Sequence, residues 1–497
     1  MSKKHSWGLH VGFLWVVCLV VVGLMAGSAY AADPAIPVFS QNMAFVGYND
    51  IQGRETLQVS TNENWAYAGH HEGTHLNSIT TFNEINGTTI LNITDPTDPI
   101  VVAHIPGDID RDPGCEANGR SASAVHNFKG LGRDILVRNH ECGATRIFEI
   151  FDITDRALGI NFIQKVGEIT GTPEKSCKKM GPDKCGGTLR QTAHKGYLSK
   201  SGLYYAGTNE PGFRNGGHLL VFDLSSVANA TSPGPRTNYN HTFVGRGWIN
   251  GQKLTETDRG GLSGHHGIVD EANDRVYMAY LTGGDAAAFD ISTIPATGPN
   301  MRFPTVWEID TGPPGAAKGH TVTVIKYELG EIPNFGEGAF PRYYALFADE
   351  NTSNLCSRDI REKLFMLDVT NAEETGVPFG IETWQVPDFY DEDFCTKGRR
   401  FGPHQFNETV NTEFNLFEDK IAYVAYFNAG VRVIDISNPY EVKEVGYWIP
   451  PEMLSPGDKS LMVQTNDVDV DYRGHVYATD RSGNGFWVLQ YRPPPTP

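Results

Sequence analysis

Short apolar stretches that end in an aspartate and then a serine or threonine recur along the chain. Seven copies align on positions 92, 152, 223, 290, 368, 435 and 490, where the first copy has asparagine and the last has glutamine instead of aspartate. Neighbouring copies are 55 to 78 residues apart. Self-similarity at a roughly regular spacing along a whole chain predicts a repeat architecture.

Each copy has an apolar, strand-like segment before it and another after it. Residues 422–425 precede the sixth copy, for example, and residues 445–448 follow it. Four strands per repeat are typical of a propeller blade, so the sequence predicts an all-β, seven-bladed β-propeller over residues 32–492. Only three strands can be counted in the last repeat before a proline-rich tail at 493–497. We therefore expect residues 45–48 to supply its outer strand and close the ring, which removes exposed sheet edges.

The repeated segments also resemble a known family. The runs 433–439, with Asp-Ile-Ser-Asn-Pro, and 93–96, with Ile-Thr-Asp-Pro, resemble the LVIVD repeat, a propeller repeat of bacterial surface and exported proteins. The resemblance covers most of residues 40–492. It implies the propeller fold and an exported location, and it implies no particular activity.

The first 31 residues have the pattern of a secretory signal peptide. Lys3 and Lys4 precede an apolar run over 11–25, and Ala29-Tyr30-Ala31 provides small residues for cleavage. An uncleaved membrane anchor is the alternative. We expect a periplasmic or extracellular protein without a transmembrane span once the signal is removed.

Six cysteines follow the leader, and an even number in an exported chain favours disulfides. Six cysteines allow 15 connectivities. Proximity in the sequence favours the pairs Cys115–Cys142, Cys177–Cys185 and Cys356–Cys395.

Composition and charge argue against two classes of protein, those that bind nucleic acid and those that are disordered. The net charge of −18 argues against nucleic acid as a partner, because sequence-independent binding to nucleic acid needs basic patches. A hydrophobic content of 40% excludes a disordered chain, and 54 glycines suit the many turns of a propeller.

Histidine recurs at a similar position in five of the predicted blades. Aligned at the start of the innermost strand, these histidines would surround one mouth of the central channel. Neutral imidazole is a common ligand of zinc, copper and iron, so the pattern predicts a transition metal ion at the mouth. His265 is the alternate ligand in its blade, because neighbouring side chains of a strand point to opposite faces. The five candidates are His126, His194, His266, His320 and His404.

Acidic residues follow the second strand of several repeats and would line the same mouth. Glu72, Glu141 and Glu210 are candidates for orienting the histidine ligands through hydrogen bonds. This pattern favours a metal protein, with an oxidoreductase acting on a small molecule as the leading activity. A noncatalytic module that binds a protein or glycan at the mouth, or a component of a surface assembly, is the alternative. Whether the chain is an enzyme stays open.

A last polar pattern lies near the C-terminus, where Asp467, Asp469 and Asp471 alternate along a strand. Calcium would be possible, but the glycine and glutamate of an EF-hand loop are missing. We therefore expect these aspartates to serve in turns.

Overall fold

Seven four-stranded antiparallel sheets make up the chain in the computed structural model, and they follow one another as the blades of a β-propeller. Strands are named A to D from the innermost to the outermost. The structure describes residues 39–71, 73–107, 118–140, 146–170, 175–177, 185–188, 193–208, 212–213, 217–226, 242–259, 262–282, 284–294, 301–310, 318–333, 340–354, 363–387, 394, 398–408, 420–451, 453–455 and 459–495.

The blades run in chain order, with strands A to D given in turn. Blade 1 consists of Thr56–Asn62, Trp65–His70, Thr88–Asn92 and Ile100–Ile105. Blade 2 consists of Asn118–Val125, Ile135–His140, Arg146–Asp152 and Gln164–Thr170. Blade 3 consists of Ala193–Leu198, Leu203–Thr208, His218–Asp223 and Thr242–Gly247. Blade 4 consists of Ser263–Asp270, Arg275–Thr282, Asp285–Asp290 and Thr305–Asp310.

The remaining three blades complete the ring. Blade 5 consists of Gly319–Tyr327, Arg342–Asp349, Leu364–Asp368 and Phe379–Trp384. Blade 6 consists of Gln405–Phe406, Ile421–Ala425, Val431–Asp435 and Lys443–Trp448, and Ser40–Gln41 adds a fifth strand at its outer edge. Blade 7 consists of Thr465–Val470, His475–Asp480 and Phe486–Tyr491, with Met43–Asn49 as its strand D.

The connections between the blade strands contain three small hairpins and a few helical turns. The hairpins are Thr74–Leu76 with Asn83–Ile85, Lys175–Cys177 with Cys185–Thr188, and Met453–Ser455 with Lys459–Leu461. The helical elements include the α-helix Ala372–Thr375 and the 3₁₀ turns Ile51–Gly53, Phe128–Gly130, Arg156–Leu158, Ile160–Phe162 and Glu271–Asn273. No helix in the described part of the chain is long and apolar enough to cross a membrane.

The hydrophobic core lies between neighbouring blades. Each sheet is covered on both faces, so its middle strands are apolar at consecutive positions, as in 219–222 of blade 3. Trp448 of blade 6 and Trp487 of blade 7 are both buried, and their ring centroids are 4.9 Å apart. Burial of one large apolar side chain stabilises a fold by roughly 1.5–3 kcal/mol, so these layers hold the ring together.

The N-terminal segment closes the ring, as the repeat count predicts. Met43–Asn49 pairs antiparallel with Phe486–Tyr491, and Tyr48 lies opposite Trp487 in this register. The ring centroids of Tyr48 and Trp487 are 4.3 Å apart. The outer strand of the last blade therefore comes from the other end of the chain.

The innermost strands of blades 7 and 1 are joined by carboxylates. The backbone N–H of Val59 donates to Asp467 Oδ2 at 2.9 Å, and that of Thr61 donates to Asp469 Oδ2 at 2.6 Å. The expected turn chemistry is found only at Asp471, whose Oδ1 accepts from the backbone N–H of Arg473 at 2.9 Å. For Asp467 and Asp469 it was wrong, because neighbouring blades bring a second backbone beside their strand.

One predicted disulfide pair can be located. Cys177 and Cys185 are opposite each other in the register of their hairpin. The other four cysteines, Cys115, Cys142, Cys356 and Cys395, lie outside the described residues.

Candidate functional site

The innermost strands of several blades begin with an irregularity of register. In blade 5, Gly319 pairs with Asp349 and Thr321 with Ala348, so His320 is an extra residue between them. The same kind of shift occurs between Ala193 and Gly196 in blade 3, and between Gly264 and Gly267 in blade 4. A β-bulge redirects the side chain that it contains. His194, His265 and His320 are each located within such a bulge.

Four imidazoles from four consecutive blades form an arc at the mouth of the central channel where the innermost strands begin. The centroid of the His194 ring is 4.1 Å from that of His265, which is 3.9 Å from that of His320. His320 is in turn 3.9 Å from His404, the residue before strand A of blade 6. His265, His320 and His404 are buried, and His194 is partly exposed. We call these four residues the histidine arc.

A buried glutamate adds a carboxylate to the arc. Glu350 directly follows strand B of blade 5, and one ligand atom each of His265, His320 and Glu350 lie within 4.8 Å of one another. Atoms bound to one metal ion at about 2.1 Å are roughly 3–4 Å apart, so a shift of about an ångström would bring this set around an ion. Glu350 Oε1 is also 3.7 Å from His404 Nε2.

The protonation state of His404 suits a ligand. Its Nδ1 is 2.5 Å from the backbone carbonyl oxygen of Asn466, which can only accept, so Nδ1 carries the hydrogen. The lone pair is then on Nε2, on the side of Glu350. Burial lowers the pKa of His404 well below its usual value, with smaller contributions from Arg481 and Arg400. The imidazole is therefore neutral near pH 7, as metal binding requires.

An ion pair next to the arc connects two blades across the channel. Lys195 Nζ of blade 3 bonds to Glu408 Oε1 of blade 6, and Gln405 Nε2 donates to the same oxygen at 2.9 Å. A cavity of about 30 Å³ beside this pair is lined by residues that include Ser60, Ser121 and Ser123. Such a volume has room for about one water molecule.

The position predicted for His126 was wrong. His126 follows strand A of blade 2 instead of preceding it, so it lies at the opposite end of the blade. Its Nε2 is 3.1 Å from Glu63 Oε1 and its Nδ1 is 2.8 Å from Asp134 Oδ1. The sequence alignment failed here because strand A of blade 2 begins at Asn118, eight residues before the histidine.

Some of the other predicted site residues belong to the arc, and some lie outside the residues that the structure describes. His194, His320 and His404 belong to the arc, and His265, named as the alternate, contributes the ring in blade 4. The side chain of His266 is not among those described. Glu72, Glu141 and Glu210 lie outside the described residues, so their predicted role stays a prediction.

Sequence reasoning did not select Glu350, Arg400 or Asn466 for the site. A signal for Glu350 was present, because residues 348–351 align with the ends of other B strands that carry glutamate. Arg400 gave no signal, and Asn466 appeared only as the blade 7 counterpart of the histidines, since their closeness to His404 depends on how blade 6 packs on blade 7.

A family model for the LVIVD repeat matches residues 419–448. This segment holds strands B, C and D of blade 6. The chain is a seven-bladed β-propeller with an LVIVD repeat in blade 6. The match falls on the sixth copy of the repeat, whose strands sit directly outside His404 in the same blade.

No curated protein matches this propeller significantly. Among solved structures it is similar to hydrazine synthase from Kuenenia stuttgartiensis, with 9% identity over 89% of this chain and 97% of that chain and a TM-score of 0.46. The propeller domain of Cps50 from Myceliophteria thermophila has 9% identity over 90% of this chain and 98% of that chain, with a TM-score of 0.46. The WD40 domain of Doa1 has 9% identity over 91% of this chain and 97% of that chain, with a TM-score of 0.44. Similarity at this level carries no argument about chemistry.

Proposed function

We propose that the histidine arc and Glu350 bind a transition metal ion, which is copper, iron or zinc. The observation that carries this proposal is the convergence of ligand atoms of His265, His320 and Glu350 within 4.8 Å of one another in a buried site. Imidazole and carboxylate groups are ligands of these metals, and two histidines with one carboxylate are a set typical of non-haem iron. His404 and His194, at the other positions of the arc, would complete or flank the set.

The activity that this site best supports is oxidoreduction of a small molecule at the channel mouth. A copper or iron ion would supply the redox chemistry. The chain's own part is to hold the ligand residues in place, and the Lys195–Glu408 pair contributes by linking blade 3 to blade 6 next to the arc. The Nδ1–H of His404, held by the Asn466 carbonyl, fixes the orientation of one ligand ring. The leader over 1–31 supports export, so we place this activity outside the cytoplasm.

The competing proposal is a binding module for a protein or glycan. It is favoured by the hairpin that follows strand B of blade 1, which reaches out on the same face as the arc. Leu76, Ile79 and Phe82 of this hairpin are exposed by 59%, 50% and 69%. Exposed apolar groups of this kind are common at sites of protein association.

Metal analysis of protein purified without a histidine tag tests the first proposal. The wild-type protein should contain about one equivalent of copper, iron or zinc, or take it up after chelation and dialysis. The double variant His265→Ala/His320→Ala should lose this equivalent, and Glu350→Gln should weaken binding by tenfold or more.

His126→Ala provides the matched control. It removes an imidazole that also lies beside carboxylates, but at the far end of blade 2. Its metal content should equal that of the wild type. Metal content that is the same in the double variant and the wild type would refute the metal site and leave the binding module as the function to test.

A further inference from the structure

Two arginines lie next to the histidine arc where blade 6 meets blade 7. The guanidinium carbons of Arg400 and Arg481 are 5.6 Å and 6.0 Å from the ring centroid of Phe427. The same ring is 5.0 Å from that of His404. Both guanidinium groups are therefore close enough to the proposed metal ligands for one small molecule to contact both kinds of group.

The charge at this place is opposite in sign to that of the chain. The whole chain has a net charge of −18, yet the charged groups that act most on His404 are the cations Arg481, Arg400 and Lys195. Two of these already have a carboxylate, since Arg400 bonds to Glu350 and Lys195 to Glu408.

The hydrogen bond of the Arg400 guanidinium to Glu350 does not use its Nε. Its Nη1 bonds to Glu350 Oε1 at 2.5 Å, and its backbone is held on both sides by the side chain of Gln464. Its Nε is buried and has no acceptor among the residues that the structure describes. Arg481 is held by the oxygen of the Asn466 side chain at 3.3 Å, and it remains partly exposed.

We infer that Arg400 and Arg481 bind the carboxylate or phosphate group of a small anionic ligand at the channel mouth. A guanidinium presents its N–H groups in a planar fork that matches both oxyanions. A ligand held there lies near the Phe427 ring, whose centroid is 5.0 Å from that of His404. The description of this ligand as a substrate rests on the proposed function, whereas the anion site stands on the arginines themselves.

Calorimetric titration of the full-length mature protein with succinate and with inorganic phosphate tests this inference. Binding of one equivalent is expected, and the tighter of the two anions identifies the chemical source. Arg481→Gln should weaken that binding by about tenfold or more, and Arg400→Gln by at least as much. Arg275→Gln, at the far end of blade 4 and paired with Glu373, is the control and should bind like the wild type.

The two proposals are separated by measuring metal and anion on the same samples. In His265→Ala/His320→Ala, anion binding should persist after the metal is lost. Anion binding without any metal in the wild type overturns the proposed function but supports the arginine site. Unchanged affinity in Arg481→Gln, with the fold verified by circular dichroism, or no binding of either anion to the wild type, overturns the arginine site whatever the metal content.

Discussion

Lys195 and Glu408 form an ion pair between blade 3 and blade 6, which are not neighbours in the ring. Lys195 directly follows His194, and Glu408 comes four residues after His404. The pair therefore connects the two ends of the histidine arc across the channel. This contact links two blades that are separated by two others in the ring.

Breaking this ion pair should destabilise the propeller. Lys195 is almost fully buried, so Glu408→Leu leaves its ammonium group without the carboxylate that compensates its loss of water. Removal of one partner of a buried ion pair costs about 3–5 kcal/mol, and partial exposure of Glu408 places the expected loss near the lower value. Chemical denaturation followed by tryptophan fluorescence measures this loss.

The double variant Lys195→Met/Glu408→Leu checks the cause. It removes both charges, so much of the stability lost in Glu408→Leu should return. A double variant as unstable as the single one would show that the pair contributes through packing and not through charge.

Deleting residues 40–50 should destabilise all seven blades together. These residues include the strand that pairs with Phe486–Tyr491, and without it blade 7 exposes an edge and part of its core. We expect a lower unfolding temperature in a single transition. Deletion of the tail at 493–497 is the control and should leave the temperature unchanged; an equal result for both deletions would contradict the role of the closure.

Asp469 should make the stability fall as the pH rises. Burial raises the pKa of its carboxyl to about 7, above the value of about 3.9 in an unfolded chain. The folded state therefore favours the protonated form, and the contribution of Asp469 to the free energy of unfolding is fully present below about pH 4 and is lost as the pH rises to about 7.

Comparison with Asp469→Asn isolates this effect. Since asparagine does not titrate, the wild-type free energy of unfolding minus that of the variant should decrease between pH 4.5 and 7, by at most about 1.4 kcal/mol per pH unit. For Asp95→Asn the difference should not decrease, because hydrogen bonds from Thr97 lower the pKa of Asp95 instead. A difference that stays flat for Asp469→Asn would contradict the raised pKa.

The register of one hairpin sharpens the disulfide prediction. Opposite residues of an antiparallel pair have Cα atoms about 4.5–5.5 Å apart, within the range that a disulfide spans. Cys177 and Cys185 are such a pair. Non-reducing peptide mapping of exported protein should therefore find them joined. Recovery of either cysteine as a free thiol, or bonded to another cysteine, would contradict the pairing.

Much of the fold was predictable because each blade repeats a local pattern. The apolar segments around Asp435 and its counterparts mark strand C of their blades, and the missing strand of blade 7 pointed to residues 45–48. Both conclusions depend only on strand order along the chain. The register of strand A was harder, since His126 and His194 look alike in sequence but lie at opposite ends of their strands.

The sequence by itself determined the seven-bladed ring, its closure and the recurrence of histidine, because alternation and spacing are properties of a single strand. The tertiary structure decided which histidines meet. It selected His265 through a bulge, placed Glu350 beside it, and brought Asn466 and Arg400 to His404 from separate segments. These choices depend on the packing of one blade against the next and on charges that cross the channel, and such long-range contacts leave no periodic signal in the chain.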